Sequence, residues 1–149
     1  MPFLAAAFAL TSLLGLASAE ATTPAEMAIR DALVTWTEQF NAGNADDICG
    51  LFARDLRYDY RGFPERGFDE ICELLRRSLR DRTKNYSYSL QIKEIIVAAD
   101  LAVVRLVWRL RIVPAGSAEA RISEEPGIDI FRKYPDGSWK ILRYIAYEN

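Results

Sequence analysis

Histidine is absent from all 149 residues of the chain. Its absence excludes Ser-His-Asp and Cys-His catalysis, metal sites with histidine ligands, and pH switches that depend on an imidazole. Acid-base chemistry must therefore use Asp, Glu, Tyr, Lys or Cys side chains. A strong excess of either charge is missing as well, because 19 Lys and Arg residues stand against 21 Asp and Glu residues. This balance gives no electrostatic reason to expect a nucleic acid as a partner.

The first nineteen residues contain no Lys or Arg, although they otherwise have the pattern of an export signal. A largely apolar run ends at Ala17-Ser18-Ala19, a small-x-small pattern typical of a signal peptidase site. We predict a signal peptide over residues 1–19 and export of the mature chain to a periplasm or the extracellular space. The run is short for a membrane span, so no membrane attachment is expected after cleavage. A buried N-terminal helix is the alternative interpretation.

Cysteine occurs twice, as Cys49 in "DDICGLF" and Cys72 in "DEICELL". Each lies on the apolar side of a helical pattern, and an exported chain matures where thiols oxidise. We predict a disulfide between Cys49 and Cys72. Closing a loop of about 24 residues would contribute about 3 kcal/mol to stability. Two free, buried cysteines are the alternative.

Helical periodicity marks three segments in the first half of the mature chain. The first begins at a capping box formed by Thr23 and Glu26, and the second is a short segment capped by Asn44. The third ends in the basic run "RRSLRDRTK", which is typical of a solvated helix end and could alternatively hold an anion. The apolar positions of the three segments are Ile29, Leu33, Trp36 and Phe40; Ile48, Cys49, Leu51 and Phe52; and Phe68, Ile71, Cys72, Leu75 and Leu79.

The remainder of the chain has the period-two alternation of β-strands. In "LRYDYRG", Leu56, Tyr58 and Tyr60 alternate with charged residues, and four long strands follow at "YSYSLQIKEIIV", "LAVVRLVWRLRIV", "RISEEPGIDIFRKY" and "WKILRYIAY". The order of elements predicts a single α+β domain over residues 20–149, with three N-terminal helices packed on one face of a strongly curved, mainly antiparallel sheet. No residue pattern points to a metal or an organic cofactor, and we expect neither.

The last two strands flank a turn at Asp136-Gly137, which sets their expected register. Pairing across this turn places Asp129 opposite Tyr144 and Phe131 opposite Leu142. Neither face of the hairpin is plainly polar, as expected for a sheet covered by helices on one side and by a second subunit on the other. The pattern therefore predicts a homodimer.

The strand "AVVRLVWRLRI" has one apolar face and one face that carries Arg105 and Arg109. Hydrophobicity alone places the apolar face against the helices and the arginines outside.

The stretches "FNAGNADDICGLFARDLRYDY" and "PGIDIFRKYPDGSWKIL" resemble the nuclear transport factor 2-like superfamily, in its SnoaL-like and ketosteroid-isomerase-like branch. The resemblance covers nearly all of residues 25–147 and implies a cone-shaped fold with a deep apolar cavity. This fold serves isomerases, hydrolases, dehydratases and binding modules, so it specifies architecture better than activity.

Isomerases of that branch use a base Asp on the first strand, and a helix Tyr that joins a protonated Asp late in the sheet. The resemblance aligns the helix Tyr with Trp36 and the base Asp with Tyr60, and only the sheet Asp is matched, by Asp129. Asp59 is one residue from the base position, which points it to the opposite face. The familiar route of steroid isomerisation is therefore not expected. By the same alignment Arg105 and Arg109 would face the cavity, near Asp129.

We accordingly predict a cavity for a small, partly apolar organic molecule, with Asp129 as its catalytic residue. The predicted ligand-binding residues are Trp36, Tyr58, Tyr60, Arg105, Arg109, Phe131 and Tyr144. Two other roles stay open for Asp129: a buried partner of Arg105 or Tyr144, and a solvent-facing ion pair. The aromatic residues could equally be ordinary core. Three functional classes remain at this point: a cofactor-independent proton-transfer enzyme of isomerase or hydrolase type, a non-catalytic binding protein, and a dimerisation module.

Overall fold

The computed structural model describes residues 21–148. The predicted signal peptide lies outside these residues. The chain forms α1 (Pro24–Asn41), β1 (Phe52–Tyr60), β2 (Arg66–Gly67), α2 (Phe68–Arg80), β3 (Lys84–Ala98), β4 (Leu101–Pro114), β5 (Arg121–Lys133) and β6 (Trp139–Ala146).

The six strands form one sheet in the order β2-β1-β6-β5-β4-β3. All neighbouring strands are antiparallel except β1 and β6, which run parallel, so the sheet is mixed. The four long strands predicted from alternation are confirmed, and β1 begins at Phe52, four residues before the predicted start. Both helices of the described chain contribute apolar side chains to a core on one face of this curved sheet.

Helix α1 begins at the predicted capping box, in which the Glu26 amide donates to the Thr23 hydroxyl at 3.2 Å. Its buried face contains the four predicted residues, Ile29, Leu33, Trp36 and Phe40. At its other end, the Asn41 side chain donates to the carbonyl of Tyr88 at 2.8 Å and accepts from the amide of Tyr88 at 2.8 Å. These two bonds fix the end of α1 against β3.

The predicted short helix after Asn44 is wrong, because residues 45–51 form successive turns within the described chain. Local bonds span only three residues, from the Gly50 amide to the Asp47 carbonyl at 2.9 Å and from the Phe52 amide to the Cys49 carbonyl at 3.1 Å. Tertiary donors take the other carbonyls: the Trp36 indole N–H bonds Ile48 O at 2.8 Å, and the Ile141 amide bonds Leu51 O at 2.8 Å. We call residues 45–51 the turn segment.

The disulfide between Cys49 and Cys72 is confirmed, with the two Cα atoms 5.5 Å apart. It joins the turn segment to α2.

The β5–β6 register is as predicted at Asp129, which lies opposite Tyr144. Phe131 lies opposite Ile141, however, and not opposite Leu142, because a β-bulge shifts the register between Ile130 and Phe131. A bulge adds one residue to one strand. The pairs between the turn and the bulge, from Phe131 to Lys133, are therefore one residue out of the predicted register. On the other side of the bulge, from Ile130 back to Gly127, the extra residue restores the predicted pairs.

Candidate functional site

A cavity of about 690 Å³ lies between the inner face of the sheet and the helices. Because Asp129 lines it, we call it the Asp129 cavity. Its wall on the helical side includes Trp36 and Phe40 of α1 and Ile71, Leu74 and Leu75 of α2. The lining is largely aromatic and aliphatic, with a few polar side chains, which is the usual composition of a site for a small organic molecule.

Three polar side chains form one row across the cavity floor. Tyr58 of β1 lies opposite Tyr144 of β6, and Tyr144 lies opposite Asp129 of β5. Residues that oppose one another in neighbouring strands share a face. The sheet thus brings together three residues that are distant in the sequence, and all three line the cavity.

The next row along the same strands contains two small residues. Tyr60 lies opposite Ala146, and Ala146 lies opposite Gly127. A methyl group added to Gly127 would meet the Ile145 carbonyl oxygen at 2.9 Å and the Ala146 Cβ at 3.3 Å. Because Gly127 has no side chain, the cavity is deeper at this position, beside Asp129.

Asp129 is 4% exposed, and no charged group among residues 21–148 compensates its carboxyl. Among residues 21–148, no hydrogen-bond partner lies within reach of Asp129 Oδ2. Burial disfavours the ionised form and raises the pKa of Asp129 to about 7. At neutral pH this carboxyl can therefore either donate or accept a proton.

Tyr58 and Tyr144 stack face to face beside Asp129, with ring centroids 4.4 Å apart. Burial is the main cause of a raised pKa at Tyr144, and the neighbouring Tyr58 and Asp129 raise it further. The Tyr58 hydroxyl is buried and has no hydrogen-bond partner in the described part of the chain. The Tyr58 hydroxyl can therefore donate a hydrogen bond to a ligand.

Tyr60 lines the cavity beside a residue that the sequence analysis missed, Glu125 of β5. Burial, and then the nearby Glu148, raise the pKa of Glu125 to about 7, while an interaction with the Tyr60 hydroxyl acts in the opposite direction. Burial, Glu125 and Glu148 raise the pKa of Tyr60 to about 12. The signal was present in the sequence, because Glu125, Gly127 and Asp129 alternate along one strand and must share a face.

Arg105 and Arg109 lie on the outer face of the sheet, so their expected place in the cavity is corrected. Both are exposed, and Arg105 Nη1 bonds Glu94 Oε2 of β3 at 3.0 Å. Their neighbours Leu106 and Trp108 line the cavity instead. The hydrophobic pattern of β4 was the better guide, since an apolar face packs on the helices whatever a distant alignment implies. Arg105 is thereby excluded as the buried partner of Asp129.

Trp36 lies in the cavity wall as predicted, whereas Phe131 does not. Trp36 lines the cavity and packs against four aromatic rings, but its indole N–H is already bonded to the Ile48 carbonyl. Phe131 is fully buried in the core and is not part of the cavity lining. Trp36 thus offers a ligand an apolar surface, whereas Phe131 packs in the hydrophobic core. Asp59 is exposed, on the opposite face to Tyr58 and Tyr60, as expected.

A second, open groove of about 980 Å³ lies beside the disulfide. It carries three arginines of the basic run at the end of α2, Arg76, Arg77 and Arg80, together with Arg54 and Lys140. These five bases are interspersed with five acidic residues: Asp46, Asp47, Asp69, Glu73 and Asp81. This mixture favours a solvated surface over an anion site.

Neither a membrane span nor a metal centre is found across residues 21–148. No helix in this range has the length and apolar character needed to cross a membrane. In the same range, no group of three or more His, Cys, Asp or Glu side chains is placed to hold a metal ion.

Solved structures similar to this one share its fold at low sequence identity. A conserved protein from Planctomyces limnophilus DSM 3776 is 20% identical, with a TM-score of 0.75 over 83% of this chain and 95% of that one. A ketosteroid isomerase-like protein from Erwinia carotovora atroseptica SCRI1043 is 22% identical, with a TM-score of 0.66 over 82% and 94%. A candidate scytalone dehydratase from Novosphingobium aromaticivorans DSM 12444 is 21% identical, with a TM-score of 0.70 over 83% and 83%. None of the functionally curated proteins matched the sequence.

The mixed, curved sheet with helices on one face and a cavity between them defines an α+β protein of the nuclear transport factor 2-like class. Residues 33–143 match the family model of the SnoaL-like domain. The chain belongs to the SnoaL-like domain family, and the resemblance seen in the sequence is confirmed.

Proposed function

We propose that this chain is an exported SnoaL-like protein that binds a small, partly apolar organic molecule in the Asp129 cavity and transfers protons with Asp129. One observation carries the proposal. Two buried polar atoms, Asp129 Oδ2 and the Tyr58 hydroxyl, lack hydrogen-bond partners among the described residues and belong to side chains that line the cavity. Buried polar groups are nearly always paired, so an unpaired set beside a cavity favours a ligand that pairs it.

The chemistry follows from the protonated state of Asp129. A neutral Asp129 and the Tyr58 hydroxyl can both donate hydrogen bonds to one ligand oxygen, and such bonds strengthen as that oxygen gains negative charge. With a pKa of about 7, Asp129 can also give up its proton to the ligand and recover it from water. Ketosteroid isomerases, which the sequence resembles, likewise keep an Asp neutral in an apolar site so that it can donate a hydrogen bond. The reaction class is thus a cofactor-independent proton transfer, of the isomerase, lyase or hydrolase type.

A non-catalytic binding protein is the second candidate. It is favoured because two catalytic residues of the isomerases are not matched: Tyr60 occupies the expected position of the base Asp, and Trp36 that of the helix Tyr. The Trp36 indole N–H is already bonded within the protein, so it cannot serve as a free donor. A binding protein needs only an apolar cavity with an orienting group, which Asp129 and Tyr58 could supply.

Export and a homodimer complete the proposal. An intramolecular disulfide fits a chain that matures in an oxidising compartment. The outer face of the sheet carries a contiguous group of apolar side chains on β3, β4, β5 and β6 that would suit a second copy of the chain: Ile96, Val103, Ile128, Ile130 and Ile145. We call this group the outer apolar patch.

Carbon-detected NMR titration of Asp129 tests the proposal directly. We expect a pKa near 7 that shifts when an environment-sensitive apolar dye enters the cavity, with Asp129→Asn as the assignment control. An ordinary pKa of about 3.9 that ignores the dye would contradict the proposal. If the pKa is raised but enolisable ketones exchange no deuterium faster than with Asp129→Asn, the binding protein is the better conclusion.

A further inference from the structure

Glu125 lies in the Asp129 cavity among aromatic rings. It stands directly opposite Trp108 of β4, and it interacts with the hydroxyl of Tyr60. Its charge also acts on Tyr88 of β3, which lines the same cavity and packs against Trp108 with ring centroids 5.7 Å apart. The Glu125 carboxyl therefore faces a cavity wall made of three aromatic side chains.

No cation of the described chain compensates this carboxyl. Ion pairs within residues 21–148 do not include Glu125. The charged residue that acts on it most is Glu148, which has the same sign and is itself paired with Arg121 at 3.0 Å. The raised pKa of Glu125 is consistent with this lack of a cation, because a nearby positive charge would lower the pKa.

The other basic residues of the lining are engaged elsewhere. The Arg66 guanidinium lies 4.2 Å from the centre of the Phe63 ring, and the charge of Arg77 acts on Tyr86. The region around Glu125 thus combines a half-buried carboxyl with aromatic faces and lacks one positive charge. Carboxylates and aromatic faces together are the groups that recognise organic ammonium ions.

We propose that Glu125, Tyr60, Tyr88 and Trp108 form a subsite for the ammonium group of the cavity's ligand. The ligand is then a small organic amine with an apolar body and a hydrogen-bonding oxygen at its other end, which reaches Asp129 and Tyr58. Glu125 and Asp129 are four residues apart on one strand, so their Cα atoms are about 13 Å apart. Gly127 lies between them and leaves room for the ligand body. This inference rests on the proposed ligand-binding function and names its ligand class.

Isothermal titration at pH 8 with three probes of one shape tests the inference. Tyramine carries an ammonium group, tyrosol a neutral hydroxyl and 3-(4-hydroxyphenyl)propionate a carboxylate, and all three share a phenolic oxygen for Asp129. We expect the wild-type protein to bind tyramine about tenfold or more tightly than tyrosol, and the carboxylate most weakly. Glu125→Gln should reduce the preference for tyramine over tyrosol to about twofold or less.

Glu124→Gln is the matched control, because Glu124 is the neighbouring acid on the exposed outer face and its replacement removes the same charge. It should keep the wild-type preference. Equal binding of tyramine and tyrosol, stronger binding of the carboxylate, or an unchanged preference in Glu125→Gln would each overturn the inference. If Glu125→Gln does not fold, the comparison of the three probes on the wild-type protein decides alone.

Asp129→Asn separates this inference from the proposed function. It should weaken tyramine and tyrosol by similar factors, because it acts on the phenolic end that they share. Tyrosol binding that depends on Asp129, without a preference for tyramine, would support the proposed function and overturn the ammonium subsite. If no probe binds, both fail.

Discussion

At the scale of single residues, the protein holds a carboxyl where its ionised form is unfavourable. Asp129 is buried with no neighbouring cation from the described part of the chain, and burial raises its pKa in the folded protein to about 7. In the unfolded chain the pKa would be about 3.9. The folded state therefore binds a proton that the unfolded state releases, and folding becomes coupled to pH between these two values.

The coupling predicts a pH-dependent stability. A group whose pKa rises on folding stabilises the protein fully below its unfolded pKa, and the contribution is lost as the pH rises through the folded pKa. From pH 4 to pH 7 we expect Asp129 to reduce the free energy of unfolding by about 3 kcal/mol. Urea unfolding at several pH values measures this change.

Asp129→Asn provides the comparison for that measurement, since it cannot ionise. The difference in stability between wild-type and variant should change across pH 4–7 and stay constant above about pH 8. A constant difference over the whole range would show that Asp129 ionises normally. Glu125 contributes in the same direction and is present in both proteins, so it cancels in the difference to first order.

Gly127 offers a second prediction at this scale. A Cβ at this position would lie 2.9 Å from the Ile145 carbonyl oxygen. Because that oxygen belongs to the backbone of a paired strand, it cannot easily move to relieve the clash. We expect Gly127→Ala to lower the free energy of unfolding by about 1–3 kcal/mol, as overpacking does. Thermal or urea unfolding checks it, and a stability equal to that of the wild-type protein would contradict the close approach.

Sequence reasoning found Asp129 and its aromatic neighbours in the cavity, but it missed Glu125 and misplaced the arginines of β4. Counting from the turn at Asp136-Gly137 predicted the pairing of Asp129 with Tyr144, which holds because the bulge compensates a one-residue offset next to the turn. Arg105 was misplaced because an alignment of low identity cannot resolve a one-residue shift, which reverses the face. Whether a partner satisfies Asp129 Oδ2 depends on three strands at once, and no local pattern contains that information.

At the scale of elements, the turn segment shows how tertiary bonds override local propensity. Its apolar spacing suits a helix, but a short helix satisfies few of its own carbonyls. Here Trp36 and Ile141 take the carbonyls of Ile48 and Leu51, so the chain gains more from neighbouring elements than from a helical turn. The long strands were predictable because alternation over a dozen residues is a strong signal, whereas the pattern of so short a segment is not.

The disulfide predicts a measurable stability difference at this scale. Replacing both cysteines, as in Cys49→Ala with Cys72→Ala, should lower the free energy of unfolding by about 3 kcal/mol, because the unfolded chain regains the freedom of a loop of about 24 residues. Urea unfolding with and without a reductant measures it. The reductant should destabilise the wild-type protein and leave the double variant unchanged; equal stability of the two proteins without reductant would contradict the prediction.

At the scale of the whole molecule, the sheet has apolar side chains on both faces. The inner face is covered by α1 and α2, while on the outer face Ile145 is 62% exposed and Ile128 47%. The two residues are paired across β5 and β6, and ion pairs Arg105–Glu94 and Arg132–Asp55 border them. An apolar centre with a charged rim is the usual arrangement of a protein interface. This supports the proposed homodimer.

A charge placed in the outer apolar patch should separate the two copies. We expect Ile145→Asp to raise the dimer dissociation constant by at least about 100-fold, because the carboxylate would be buried without a partner at the interface. Light scattering and sedimentation measure the oligomeric state. Val34→Asp, on the exposed side of α1, is the control and should leave the dimer intact. A wild-type protein that sediments as a monomer at micromolar concentration would contradict the homodimer.

The bond between Cys49 and Cys72 has a consequence for kinetics as well as for stability. Ile71, Leu74 and Leu75 of α2 form part of the cavity wall, whereas neither cysteine lines the cavity. We expect ligand exchange to require a movement of α2 away from the sheet, which the bond to the turn segment would restrain. Reduction should therefore accelerate ligand arrival and ligand departure by similar factors while the equilibrium between them changes little. If the proposed ligand binds, the oxidised protein should exchange it slowly, and the bond would then set the residence time of the ligand more than its affinity.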